Sequence, residues 1–199
     1  MILGHLVGLY VQPKEEWKNI DRLHEGASNS LIHALIMAMI PPVCAYYSSV
    51  HIGWKIGVGD PIFITGDSAL MIAIAMYFAL IIGVCALAYL TLWMSRTFGS
   101  SPSYTQALEL AAYTATPIFM VGLSALYPVV WFVMLVGLVG VAYSVYLLYT
   151  GVPIIMHIPE ERGFIYASSV VTCGLVLLVS ILAASVILWN SGLGPIFVQ

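Results

Sequence analysis

The chain has 199 residues, 61% of them hydrophobic and only 8% charged, whereas a soluble domain carries charge on roughly a quarter of its residues. That composition excludes water as the main solvent. A net charge of -3 and a pI near 5.9 exclude a nucleic-acid partner, which requires a basic stripe to neutralise phosphates.

From the N-terminus, Met1 to Tyr10 is apolar but short. It lacks a basic leader and runs into charge with no small-x-small cleavage site, so it is expected to stay in the mature chain. Pro13, at a plausible first helical position, opens a segment in which Trp17, Ile20 and Leu23 fall three residues apart on one stripe. The expected product is a short amphipathic helix in the cytoplasmic interface, anchored by Pro13, Trp17 and Ile20, with docking of a soluble partner as the functional alternative. Residues 1–30 thus read as a cytoplasmic N-terminal segment.

Residues 31–189 hold the apolar runs, several long enough to cross a hydrocarbon core of roughly 30 Å. Leu31 to Val50 is the first, with Pro41-Pro42 expected to kink it. Ser68 to Met94 carries no charge and is long enough to tilt. Leu108 to Tyr127 contains Glu109 and Pro117, is barely favourable to insert alone, and should depend on its neighbours. Tyr127-Pro128 offers a tight turn into Val129 to Tyr149, where Trp131 suits an aromatic belt. The last run, Ala167 to Trp189, precedes an uncharged tail, 190–199, expected to be a flexible end. The fold class is all-α: a polytopic transmembrane bundle of about five spans with a short N-terminal interfacial helix.

Orientation follows from the cations. Lys14, Lys18, Arg22, Arg96 and Arg162 fall on one side and only Lys55 on the other, which favours a cytoplasmic N-terminus and an exported C-terminus.

On the third span Gln106, Glu109, Tyr113, Thr116, Met120, Ser124 and Tyr127 share one face. An ionisable group in a span faces the bundle interior, pairs, or lines a pathway, so Glu109, Tyr113, Thr116 and the Pro117 kink form the candidate functional face. The competing reading is a carboxylate near the cytoplasmic end, hydrated or stabilised by the helix N-terminus. Ala75, Ala79 and Gly83, then Gly140 and Ser144, then Ser180 and Ala184 are small-residue faces for helix packing, with dimerisation as the alternative.

Gly57-Val58-Gly59-Asp60 matches the string of intramembrane aspartyl proteases, but the nearest second acid, Asp67, lies in the same loop, no span contains a Tyr-Asp pair, and turn chemistry explains the string. His5, His24, His33, His51 and His157 are too dispersed for metal-ligand spacing, and Pro159-Glu160-Glu161 reads as a helix start. Cys44, Cys85 and Cys173 lie in apolar runs and do not suggest a disulfide framework. With no nucleophile elbow, phosphate loop or zinc helix, neither an enzyme nor a cofactor is expected.

Ala111-Ala112-Tyr113-Thr114-Ala115-Thr116-Pro117, Gly122-Leu123, Ala125-Leu126-Tyr127-Pro128 and Tyr146-Leu147-Leu148-Tyr149-Thr150-Gly151-Val152-Pro153 resemble the Yip domain family of membrane proteins. Within it they are most similar to the YohC-like bacterial inner-membrane branch, and Pro13 with Trp17 and Ile20 resembles a short motif at the start of many bacterial members. The resemblance implies five spans, a cytoplasmic N-terminus and a periplasmic C-terminus in the bacterial inner membrane. Eukaryotic relatives act in vesicle trafficking with lipidated Rab GTPases through a long N-terminal region that this chain lacks, so that role is not expected here. Two functions remain open: a non-enzymatic bundle that organises the membrane or binds a partner, including a second copy of itself, and a small transporter or channel using the face around Glu109.

Overall fold

The computed structural model of the chain describes residues 2–23 and 26–198; His24 lies outside them. Among the described residues, five helical segments are long and apolar enough to cross a membrane: Gly26–Ile52, Gly66–Phe98, Tyr104–Leu126, Val130–Ile155 and Glu160–Gly192. Two short helices, α1 (Ile2–Val11) and α2 (Pro13–Leu23), precede them.

The first span is broken. Helix α3 (Gly26–Met37) stops short of Pro41-Pro42 and α4 (Ile40–Tyr47) begins there, with proline in its first turn, where the missing N–H costs nothing. The disruption falls upstream instead: Met39 N–H bonds to Ile36 O at 3.2 Å, which leaves the Leu35 carbonyl without its helical donor. In hydrocarbon such a group must be satisfied by protein. Tyr77 of the second span donates its hydroxyl to Leu35 O at 3.3 Å.

Helix α5 (Gly66–Ser95) is the second span, and α6 (Tyr104–Val121) the third. The α6 start lies four residues before the apolar run suggests, because Ser103 and Gln106 form a reciprocal capping box. Helix α6 is the central element, packed against α3, α5 and α7. In its most apolar window 61% of residues are buried, against 11% for the second span and 6% for the fifth. This is how a span with a carboxylate and an internal proline is accommodated: its neighbours, not lipid, are its solvent.

Helix α7 (Val130–Ile155) follows the turn at Tyr127-Pro128, and α8 (Glu160–Leu188) starts directly after Pro159, seven residues before its apolar run. The small-residue faces divide by use. A methyl group on Gly140 would meet Val121 and lie 3.4 Å from Pro117 O, so that face is spent on α6. Gly83 faces Ile181 of α8 at 3.4 Å. Ser180 and Ala184 point outward. Trp93, Trp131 and Trp189 are exposed, as belt residues should be.

At the end opposite α2, the loop over 53–65 is pinned. Lys55 N–H bonds to Pro128 O at 2.9 Å and Val130 N–H to Lys55 O at 3.1 Å. The C-terminal tail, expected to be loose, is tied to the same loop: Thr65 N–H bonds to Ile196 O at 2.8 Å and Val198 N–H to Phe63 O at 3.1 Å. Ser68 completes the tie, donating to Gly194 O at 2.9 Å and accepting from Ile196 N–H at 3.0 Å.

Candidate functional site

The two groups of residues singled out in the sequence meet in space. Helix α2 does not lie across the end of the bundle; it descends along α7. Asp21 meets His157 at 3.0 Å just beyond the end of α7, while deeper in, Trp17 fills the notch left by Gly151. Trp17 is 0% exposed and Ile20 3%, so the apolar stripe expected to anchor in lipid is packed on protein. Pro13 is half-buried and opens the helix. Leu23, third on the stripe, is left exposed.

The indole of Trp17 packs edge-on to Tyr113 of α6, ring centroids 6.4 Å apart and planes at 87°. Two other rings converge on Tyr113: His33 of α3 at 4.5 Å and His5 of α1 at 5.8 Å. His5 also bonds to Glu16 of α2. Helix α1 enters beside them, with Leu9 fully buried, Tyr143 donating to Leu9 O at 2.8 Å, and Tyr10 stacked on Tyr143 at 5.2 Å. Tyr143 lies twelve residues above the end of α7, about 18 Å at 1.5 Å per residue. The junction of α1 and α2 therefore reaches the middle of the bundle.

Thr116 lies within a turn of Tyr113 on the polar face of α6. Its hydroxyl donates to Ala112 O at 3.3 Å and accepts from His33 Nε2 at 2.9 Å. That network assigns the His33 proton to Nε2 and leaves Nδ1 as an acceptor. Among the described residues, His33 Nδ1, Ser30 Oγ and Trp17 Nε1 are buried and meet no hydrogen-bond partner. Glu109, one turn before Tyr113 on the same face, is 3% exposed. Pro117 is buried too and offers no N–H to the turn that carries Tyr113.

The result is a polar centre built from α1, α2, α3 and α6 in the half of the bundle that carries the N-terminal helices. Toward the chain's start α1 and α2 cover it; toward the far end Gly122 presses on the first span so tightly that a methyl group there would stand 2.5 Å from Pro41 Cα. The histidines are the contribution that sequence reading missed. Their spacing of 28 residues carries no motif, and only the tertiary fold brings them to one tyrosine. No three His, Cys, Asp or Glu among the described residues come together to hold a metal ion. The chemistry at this point is that of imidazole, phenol and hydroxyl groups beside two carboxylates.

Comparison with known proteins agrees with this architecture. The Yip1 domain matches residues 7–181, from α1 into the last span. The inner membrane protein YohC of Escherichia coli K12 and its counterpart in a second Escherichia coli strain, O6:H1, are each 37% identical to the chain over 191 residues, 96% of this chain and 98% of theirs. No solved structure matches. With that domain over most of its length and five apolar helices to carry it, the chain belongs to the Yip1-domain family and is a multi-pass membrane protein.

Proposed function

We propose that this protein is a non-enzymatic protein of the bacterial inner membrane and that its polar centre handles protons, making it a small transporter closed on its cytoplasmic side by α1 and α2. One observation carries the reading: Tyr113, Thr116, His33, His5 and Glu16, from four separate helices, meet inside the bundle, with buried Glu109 one turn before Tyr113 on the same face of α6. Ionisable groups are costly there and persist where they serve a pathway or relay. His33 Nδ1 and Ser30 Oγ, one turn apart on α3 and buried without a hydrogen-bond partner, leave polar atoms uncommitted on the face that carries the His33–Thr116 bond.

The inner-membrane location is supported by the names of the Escherichia coli relatives. The cytoplasmic N-terminus is supported by five of the six basic residues: Lys14, Lys18 and Arg22 in α2, Arg96 directly after α5 and Arg162 in the first turn of α8. Reporter fusions to the two termini test it: alkaline phosphatase should be active only at the C-terminus.

The transport reading is tested in proteoliposomes carrying an internal pH dye and an imposed pH gradient. The protein should dissipate the gradient and Glu109→Gln should slow it. Equal rates for both, or no rate above empty liposomes, would remove the reading.

A second reading, a bundle that organises membrane or binds another membrane protein, including its own copy, keeps one supporting observation. Helix α8 is the least buried span and turns Ser180 and Ala184 outward, the small-residue face not spent within the chain. Cysteine crosslinking at Ala184 in native membranes tests it, and recovery of monomer alone would count against it.

A further inference from the structure

Where the second span ends and the fifth begins, two arginines meet at one turn. Arg96 opens the turn that follows α5, Arg96–Phe98, and Arg162 lies in the first turn of α8; both are exposed. The turn closes with Gly99 N–H bonding to Arg96 O at 3.2 Å. Arg162 reaches across to it, its Nη1 standing 3.1 Å from where a methyl group on Gly99 would lie. Gly99 has φ +77° and no side chain, which permits the turn and leaves the guanidinium its place. Alongside, Phe98 stacks on Tyr166 of α8, ring centroids 4.7 Å apart and planes at 15°, and Tyr166 donates to Thr91 O of α5, so the two helix ends are held together.

Charge at this point has one sign. Among the described residues the ion pairs are His5–Glu16, Lys18–Glu15 and His157–Asp21, and neither arginine takes part in one. From Ser68 to Leu108 the chain has no acidic residue. The acids of α8 lie on other faces of that helix. Glu160 is three residues before Gly163, which packs on Pro153 of α7, whereas Arg162 is four before Tyr166, which faces the end of α5. Glu161 shares the outward face of the exposed Phe164 and Ile165.

One turn deeper the surface is apolar. Trp93, 71% exposed, lies three residues before Arg96, and Ile165, 59% exposed, three after Arg162. At 1.5 Å per residue about 4.5 Å separates the cations from that wall.

We infer that Arg96 and Arg162 form a binding site for the headgroup of an anionic phospholipid whose acyl chains lie on Trp93 and Ile165. Charge complementarity selects the phosphate, which the arginine fork meets with paired N–H donors. The apolar wall beneath selects a lipid over a free phosphate, which gains nothing from it. A choline headgroup would bring a cation of its own to two arginines, so phosphatidylglycerol is favoured over phosphatidylcholine. The site is separate from the polar centre and stands whether or not that centre moves protons.

The test is native mass spectrometry of the purified full-length protein in detergent, titrated with phosphatidylglycerol, with phosphatidylcholine of the same acyl chains and glycerol phosphate as comparison probes. One phosphatidylglycerol should bind saturably and about tenfold more tightly than phosphatidylcholine, the equivalent of one hydrogen bond to a charged group. Glycerol phosphate should not displace it. Arg162→Gln should erase the preference, and Arg162→Lys, which keeps the charge that orients the span, should recover part of it. Lys14→Gln, which removes another exposed cation from α2, should leave it unchanged. Equal binding of the two lipids, displacement by glycerol phosphate, no recovery with lysine, or an equal loss in Lys14→Gln would overturn the assignment.

Discussion

Replacing Gly151 with alanine separates the docked arrangement of α2 from one in which it rests in the interface. A methyl group at position 151 would stand 2.6 Å from Trp17 Cε2 and 2.9 Å from both Trp17 Cζ2 and Leu110 Cδ1, closer than carbon atoms approach in real structures. The indole is fully buried and has nowhere to go without moving α2. Overpacking of this kind costs about 1–3 kcal/mol. Set against it, alanine in a helix interior is worth about 1 kcal/mol over glycine, so an empty notch would make the substitution stabilising. The sign is therefore diagnostic.

A net loss of about 1.4 kcal/mol would lower the docked-to-undocked ratio of α2 about tenfold. Hydrogen exchange over residues 13–23 should report that loss while the spans keep their protection. In a Trp17→Ala background the same substitution should cost much less, because the nearest partner of the clash is gone and only the flexible end of Leu110 has to give way. Unchanged protection of α2 in Gly151→Ala, or additive effects in the double variant, would refute the packing described for Trp17.

Three further outcomes follow from the same structure. Thr116→Val removes the partner of His33 Nε2 at 2.9 Å in a fully buried setting and should destabilise by about 1–3 kcal/mol in thermal melts. Gly122→Ala meets Pro41 backbone atoms at 2.5 and 2.8 Å; backbone cannot swing aside as a side chain can, so detergent-solubilised protein should lose its monodisperse chromatographic peak. Ser68→Ala deletes the two side-chain bonds to Gly194 and Ile196, leaving the backbone bonds of Ile196 to Thr65 and Val198 to Phe63, and should speed exchange at 194–198, with less than about 2 kcal/mol lost overall.

Much of the fold was readable from run length. Five apolar segments appear where they were expected, Pro41-Pro42 does interrupt the first, and Tyr127-Pro128 does turn the third into the fourth. Boundaries failed where hydropathy and helix chemistry part company: α6 begins at its Ser103–Gln106 box and α8 at Pro159, both ahead of the apolar run.

The stripe of Trp17 and Ile20 was visible, but its partner was not. An amphipathic stripe has the same period whether it faces lipid or protein, and the notch that decides the matter is a single glycine more than a hundred residues away. His5 and His33 were likewise visible as residues and invisible as a site, since nothing local ties either to Tyr113. The tail looked loose because its backbone bonds leave no trace in side-chain composition.

The account rests on α1 and α2 being built into the bundle as the cover of its polar centre, and bromolipid quenching reads that directly. In a chain whose only tryptophan is Trp17, the other four being replaced by phenylalanine, fluorescence in brominated phosphatidylcholine vesicles should resist both the lipid bromines and aqueous acrylamide. Strong quenching by bromolipid would place the indole in the interface and contradict the sealed centre.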